Sequence, residues 1–187
     1  MNELLKVILE TIWFLLPAGV ANTMPVIVAN WRSLAWLGLP LDGGKTWRGE
    51  RLLGDHKTVR GLLVGLIFGS ITGYFQHIAF ETQPIIQSIS LVSYRSVIGA
   101  LALGAWLGLG ALFGDALKSF VKRQLKINPG NPWRPFDQID SVIGVLLISW
   151  WLIPLTLWHA VIAILGVWFA SFVMSVLGVQ LKIKKTI

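Results

Sequence analysis

The chain contains no cysteine among its 187 residues. That excludes disulfide bonds and thiolate metal sites. Charge is also scarce: Asp, Glu, Lys and Arg make up 13% of the chain, and only nine residues are acidic. Long stretches carry none at all. Residues 11–31, 61–80 and 96–114 are free of charge, and 141–181 runs 41 positions without one. Hydrophobic residues reach 55%, against roughly 45–50% in ordinary soluble domains, and the mean hydropathy is +0.69. A bilayer core about 30 Å thick is crossed by about 20 apolar helical residues. The pattern excludes a soluble globular domain and predicts an all-α integral membrane protein of about five transmembrane helices.

The spans are expected at roughly 7–30, 61–80, 96–117, 140–156 and 159–180. The last two share the 41-residue run, with a tight hairpin near Pro154 and His159. The first run does not read as a cleaved signal peptide, because it opens with Glu3 and Glu10, lacks an A-x-A site and carries Pro17, Asn22 and Pro25. Only short loops remain outside the spans, so the whole chain, 1–187, is expected to be a single transmembrane domain.

The sixteen Lys and Arg are unevenly spread. Six lie at 32–60 (Arg32, Lys45, Arg48, Arg51, Lys57, Arg60), five at 115–140 (Lys118, Lys122, Arg123, Lys126, Arg134), and three in the tail (Lys182, Lys184, Lys185). The positive-inside rule puts both basic loops, roughly 31–60 and 118–139, and the C-terminus in the cytoplasm, with the N-terminus outside. A sixth span at 82–94 would separate the two basic loops onto opposite faces and is rejected. The expected location is a multi-pass position in the cell membrane. Nucleic acid is not an expected partner.

Gly61, Gly65, Gly69 and Gly73 recur every four residues, as do Gly104 with Gly108 and Gly110 with Gly114. Small residues at this spacing let helix backbones approach closely in lipid. Trp31, Trp36, Trp150, Trp151 and Trp158 suit interfacial anchoring.

The basic loops also hold carboxylates, which topology alone does not require. The first contains Asp42, Glu50 and Asp55, and the second Asp115, Asp137 and Asp140. In the first loop, Lys45-Thr46-Trp47-Arg48-Gly49 is echoed by Lys57-Thr58-Val59-Arg60-Gly61. Glycine-rich backbone with Lys and Arg suits phosphate oxygens. A Walker motif is excluded, since Leu39 stands where its first glycine is needed and no strand precedes it. Asp115 follows nineteen uncharged residues and so lies at the membrane boundary, where an ionisable group is costly and usually functional. Ser119 and Lys122 share its helical face. Asp137 and Asp140 are i, i+3 and share another. Three carboxylates within a cationic loop suggest a Mg²⁺ site for a polyphosphate, because Mg²⁺ combines one or two carboxylates with phosphate oxygens and water. His77 and His159 fall on the far side, which excludes a zinc site with His56.

Four segments carry a family resemblance. Gly54-Asp55-His56-Lys57-Thr58-x-Arg60-Gly61, Pro17-Ala18-x-x-Ala21-Asn22-x-x-Pro25, Gly114-Asp115-x-x-x-Ser119-Phe120-x-Lys122-Arg123 and Asp137-x-x-Asp140 resemble, in order, signatures of the CDP-archaeol synthases. The later part is also similar to the carboxy-terminal signature of phosphatidate cytidylyltransferases, with Gln138 where that larger family usually has Arg. The resemblance implies a Mg²⁺-dependent enzyme that joins CTP and a lipid phosphate, an archaeal diether with geranylgeranyl chains, into a CDP-lipid and pyrophosphate. It assigns Asp115, Asp137 and Asp140 to metal, with Lys122 among the catalytic residues. Asp55, Lys57, Thr58 and Arg60, and with them Lys45, Arg48, Ser119 and Arg123, meet CTP or phosphate. Asn22 becomes a pocket residue. The rival readings are CDP-diacylglycerol synthesis from phosphatidic acid and a small membrane transporter. The CDP-alcohol phosphotransferase pattern is missing after Asp42-Gly43.

Overall fold

The computed structural model describes residues 2–128 and 131–180. The tail lysines Lys182, Lys184 and Lys185 lie outside the described residues, as do Pro129 and Gly130. Helix α1 runs Glu3–Ile27, capped by the Asn2 side chain, which accepts the Leu4 N–H. Two 3-10 turns and a two-stranded hairpin, β1 (Thr46–Trp47) and β2 (Glu50–Arg51), fill the first loop. Helix α2 spans Val59–Thr82, α3 is the short Pro84–Ser88, and α4 spans Val97–Gln124. Helix α5 covers Phe136–Ser149 and α6 covers Leu157–Gln180. Thr58 and Ser96 cap α2 and α4 by accepting the Gly61 and Gly99 N–H groups, both at 3.1 Å. Such caps satisfy donors that a helix start otherwise leaves open.

Five of these helices form the bundle, and α1, α2 and α4 are each long and apolar enough to cross a membrane. The expected boundaries shift in two places. Helix α4 continues to Gln124 instead of ending near 117, so Ser119, Lys122 and Arg123 stand on a helix, and the second loop shrinks to 125–135. Helix α5 starts at Phe136 and ends at Ser149, seven residues before its expected end at 156. Pro154 explains the early stop. A proline supplies no N–H and biases the preceding residue to an extended conformation. The Ser149 carbonyl instead accepts the Leu152 and Ile153 N–H groups, both at 3.0 Å, in a tight turn. The 82–94 segment holds only the five-residue α3 and does not span.

The glycines make two seams on different faces of α4. Gly65, Gly69 and Gly73 of α2 meet Ala100, Gly104 and Gly108. A Cβ at Gly69 would stand 2.6 Å from the Gly104 carbonyl oxygen. Gly110 and Gly114 face α5 instead, against Val145, Gly144 and the Asp140 backbone. Gly61, grouped with the stripe by spacing, is outside the seam: a Cβ there meets only ordinary contacts with Thr58 and Pro25. The core between the seams contains Phe14, Ala18, Leu107, Ala111 and Val145. Large apolar side chains such as Ile67, Phe75, Ile98 and Phe169 face outward, as lipid-facing residues do.

At the far end from the basic loops, α6 is pinned to α1. The His159 Nε2 lies 3.1 Å from a Glu10 carboxylate oxygen, and the Thr156 N–H donates to Nδ1. That backbone donor fixes the tautomer: Nδ1 accepts, so Nε2 carries the hydrogen toward Glu10. The carboxylates are therefore not all gathered at one face, since Glu10 sits half-buried in the other half of the bundle.

The α2–α4 seam is testable. Gly104→Val should cost about 1–3 kcal/mol by overpacking and lower the unfolding midpoint of the detergent-purified protein. Gly19→Ala, inside α1 where an added Cβ meets nothing within 4 Å, should not lower it, because alanine favours the helix.

Candidate active site

The first loop is organised by Asp42. Its carboxylate accepts the N–H groups of Gly44 (3.0 Å), Leu53 (2.9 Å) and Gly54 (3.0 Å), and the Arg51 guanidinium (2.8 Å). The Arg51 hydrogen bond, aided by those backbone donors and opposed by burial, holds the Asp42 pKa well below the usual carboxylate range. Asp42 in turn raises that of Arg51. Arg51 also reaches the exposed Asp55 at 3.0 Å. Gly54, at φ +91, makes a turn that a residue with a Cβ adopts only with strain. Beyond it the chain delivers Lys57 onto Asp115, and the Lys57 ammonium is ion-paired with that carboxylate. A loop residue is thereby tied to the middle of α4.

The two copies of the Lys-Thr-x-Arg-Gly repeat fold differently. The first is the hairpin, with Arg48 (φ 55) and Gly49 (φ 83) forming its two-residue turn. Positive φ at both central residues matches the twist of paired strands. The second copy opens a helix, with the Thr58 hydroxyl engaged as its N-cap. Lys45 and Arg48 are accordingly not brought to the other cations. Lys45 lines a separate depression with Leu41, Asp42 and Phe120. Arg48 lies over the Trp47 ring at 5.6 Å, and Trp47 stacks on Phe120 of α4.

The second loop and its flanking helices converge on Lys118. Its ammonium lies 3.0 Å from Asp115, 2.5 Å from Asp140 and 3.5 Å from Asp137. The close α4–α5 approach at Gly114 and Gly144 makes this geometry, because any larger residue would push Asp140 away from Asp115. Lys122 is buried and bridges Asp137 (3.1 Å) to the Asn131 carbonyl (2.6 Å), pinning the loop to α4. The Trp133 N–H also donates to Asp137. Ser119 donates back to the Asp115 carbonyl at 2.9 Å. Three carboxylates and three ammonium groups thus form one network, with Lys118 at its centre. Among the described residues no three acidic or imidazole side chains group closely enough to ligate a metal ion by themselves.

Two cavities adjoin this network. The first, of about 440 Å³, is lined by His56, Lys57, Lys118, Ser119, Lys122, Arg123 and Lys126, among others. The second, of about 500 Å³, lies between α1, α2 and α4. Asn22, Pro25, Thr58, Arg60, Leu109, Leu112, Phe113 and Asp115 line it. Asp55, His56 and Lys57 border both. Both volumes fall in the range of small-molecule sites. Lys118 and Asp42 are the central residues that motif matching passes over. The i, i+3 spacing of Asp115 and Lys118 carried the first signal, and Asp42-Gly43-Gly44, a sequence suited to an Asx turn, carried the second.

A helical membrane bundle that ends in a cationic cavity beside shared carboxylates defines an integral membrane enzyme acting on phosphorylated substrates. Known proteins narrow that class. The CarS-like, CDP-archaeol synthase family model matches residues 4–187. The CDP-archaeol synthase of Pyrococcus furiosus is 41% identical over 144 residues, covering 76% of this chain and 75% of the relative. That of Methanocaldococcus jannaschii is 32% identical over 180 residues and covers 96% of both. A solved structure of an intramembrane enzyme for archaeal membrane lipid biosynthesis matches with a TM-score of 0.69 and 34% identity, covering 90% of this chain and 94% of that one. The chain is a multi-pass membrane protein and belongs to the CDP-archaeol synthase family.

The Asp42 knot makes a pH prediction. A depressed carboxylate contributes stability in full above its ordinary value of 3.8, and the contribution is lost as pH falls below that. Limited proteolysis between residues 43 and 57 should therefore be slow and flat from pH 5 to 8. Asp42→Ala should accelerate cleavage there across the whole range, because four donors lose their acceptor.

Proposed function

We propose that this protein transfers CMP from CTP to the phosphate of a membrane lipid, forming a CDP-lipid and releasing pyrophosphate. The favoured acceptor is unsaturated archaetidic acid, and the product CDP-archaeol. The observation that carries this reading is the Lys57–Asp115–Lys118–Asp140 network at the mouth of a cationic cavity, at the end of a membrane bundle. Two anionic substrates, one soluble and one anchored in lipid, meet most readily there. The density of Lys and Arg supports a cytoplasmic location for this face, with the N-terminus outside.

In the reaction a lipid phosphate oxygen attacks the α-phosphorus of CTP in line. The new P–O bond forms as the α–β bridging bond breaks, and pyrophosphate leaves with the electron pair. Such transfer depends on positioning and charge neutralisation more than on covalent help from the protein. Lys57, Lys118 and Arg123 supply cations around the phosphates. Lys122 holds Asp137 and the second loop in place, so it acts as a positioning residue. Thr58 fixes the helix start that carries Arg60.

The donor set fits a hard divalent cation. The Asp115 and Asp140 carboxylates already share one cationic group, so an ion at that point is within reach of both. Asp115 and Asp140 would hold Mg²⁺ together with phosphate oxygens and water, while Asp137, expected from the sequence as a third ligand, is taken up by Lys122 and the Trp133 N–H. When bound, the ion would neutralise charge on the phosphates. Lys118, on a flexible stem, would withdraw toward the adjoining cavity and its anion.

Purified protein with labelled CTP and Mg²⁺ should form CDP-lipid from archaetidic acid faster than from phosphatidic acid. A phosphatidic acid preference would favour CDP-diacylglycerol synthesis, and no product from either would refute the reading. Asp140→Asn should lower kcat by about 10²-fold or more, the scale of losing one electrostatic contact to reacting charge. Chelation should abolish turnover and added Mg²⁺ restore it.

A further inference from the structure

We infer that the first copy of the Lys-Thr-x-Arg-Gly repeat builds a binding site for an anionic lipid of the surrounding bilayer that is not a substrate. Its headgroup phosphate binds on Lys45 and Arg48, and its apolar chain lies in the depression between the hairpin and α4. The site is independent of the transfer reaction, which leaves this hairpin unused.

The outer edge of the first loop has charge of one sign. Arg32, Lys45 and Arg48 are exposed. Between residues 31 and 49 the one carboxylate is Asp42, which is buried and held by Arg51. Glu50, on the return strand, lines the first cavity instead. Lys57, Lys118 and Lys122 are neutralised by carboxylates of the central network. Among the described residues neither Lys45 nor Arg48 forms an ion pair. Their charge is therefore left for a partner outside the protein. Basic side chains beside a bilayer attract anionic headgroups, and the attraction falls off within a Debye length of about 8 Å.

The apolar side chains of the same edge match a bilayer surface. Trp31, Trp36, Leu39, Leu41 and Trp47 are all exposed. Large apolar groups gathered on an exposed surface mark a contact face, and Trp beside Lys and Arg is the composition of the membrane interface. Trp47 is fixed against α4 by its stack on Phe120, at 5.5 Å between ring centroids. The Arg48 guanidinium stands 5.6 Å from the Trp47 ring. The depression beside this stack measures about 510 Å³ and is lined by Lys45 together with Leu41, Leu52, Phe113, Leu117 and Phe120. Phe113, Leu117 and Phe120 recur at i, i+4 and i+7 and share one face of α4, separate from both glycine seams. That face rises about 10 Å, enough to cross a headgroup layer of about 5–8 Å. A cationic loop above an apolar helix face has the layout of an anionic lipid.

The chemistry of the lining separates this site from the substrate cavities. The one unpaired cation among mostly apolar residues does not match a triphosphate. None of Lys57, Asp115, Lys118 and Asp140 lines the depression, so a lipid held there touches none of the reacting groups. The depression does meet the cavity of Asn22 and Arg60 along Leu41, Phe113 and Ala116. A bound lipid thus forms part of that cavity's wall without entering the reaction.

The absence of cysteine makes the test direct. A single Thr46→Cys, carrying a fluorophore, reports on the hairpin, and a single Ile98→Cys reports on the exposed start of α4 at the other end of the bundle. Each full-length protein is reconstituted in phosphatidylcholine vesicles with a minor fraction of phosphatidylglycerol, and one lipid or the other carries brominated chains that quench on contact. Mole for mole, brominated phosphatidylglycerol should quench the Thr46 label at least twofold more than brominated phosphatidylcholine. High salt should reduce that preference, and Lys45→Gln with Arg48→Gln should abolish it. The Ile98 label should show no preference. Leu117→Trp, which fills the depression, should lower quenching of the Thr46 label by both lipids. Equal quenching by the two lipids would mean membrane contact without a headgroup site, and quenching by neither would place the hairpin in water. Either result overturns the proposal. If archaetidic acid displaces brominated phosphatidylglycerol far better than unlabelled phosphatidylglycerol does, or if the double variant weakens binding of labelled CTP, the two cations serve a substrate and the proposal is wrong. If the double variant fails to fold, the salt series on the otherwise unaltered protein decides, and a preference that salt does not change overturns it.

Discussion

Three carboxylates from two packed helices repel one another unless a cation stands among them. Here that cation is the Lys118 ammonium, within 3.5 Å of Asp115, Asp137 and Asp140. The arrangement is reciprocal. Lys118 needs acceptors to remain charged in a half-buried setting, and each carboxylate needs a cation for the same reason. It also depends on glycine. Gly114 and Gly144 let α4 and α5 approach until the Asp140 backbone touches the Gly114 position. The seam sets the distance, and the distance makes one lysine sufficient for two helices.

The first loop becomes part of the site through a second shared carboxylate. Asp115 binds Lys118 with one oxygen and Lys57 with the other. Lys57 reaches it because Asp42, far back in the loop, gathers Gly44, Leu53, Gly54 and Arg51 into a fixed turn. Without that knot, a loop of some thirty residues between α1 and α2 would sample many shapes, at an entropic cost for any one of them. Asp42 thus touches the cavity cations only through Arg51, yet it decides where Lys57 goes.

The sequence made the bundle legible because spans depend on composition over about twenty residues, and composition is readable without contacts. The seam glycines at 65, 69, 73, 104, 108, 110 and 114 were legible for the same reason, although Gly61 obeyed the spacing and stands outside. The charged site was partly legible. Asp115, Asp137 and Asp140 announce themselves as ionisable groups at membrane boundaries, and they do converge. Lys118 and Asp42 were harder to see, because their roles lie in partners distant in the chain or hidden within a loop. The Lys-Thr-x-Arg-Gly repeat misled in an instructive way. Four matching residues in a stretch of five took two backbone forms, since Gly49 closes a hairpin while Thr58 caps a helix. Local identity does not settle conformation when the flanking chain supplies different partners. The early end of α5 has the same origin: hydropathy continues through Trp151 and Leu152, but Pro154 ends the hydrogen-bond ladder.

A reaction that joins a triphosphate to a lipid phosphate has a solubility problem before it has a chemical one. One substrate is stable in water and the other in the bilayer, and neither crosses far into the other's medium without desolvation. A deep site would strip water from the triphosphate, and a loop site far from the bilayer would strip lipid from the chains. The end of α4 meets both limits. Its residues change from Leu109, Leu112 and Phe113 to Lys118, Lys122 and Arg123 within about four turns, so one helix passes from an apolar wall to a cationic one. On the proposed reading the reacting atoms need only meet at the change, beside Asp115 and Lys57. The position of the carboxylates then has a physical reason: they stand at the depth where the two media meet, because charge neutralisation is needed there and is affordable nowhere deeper.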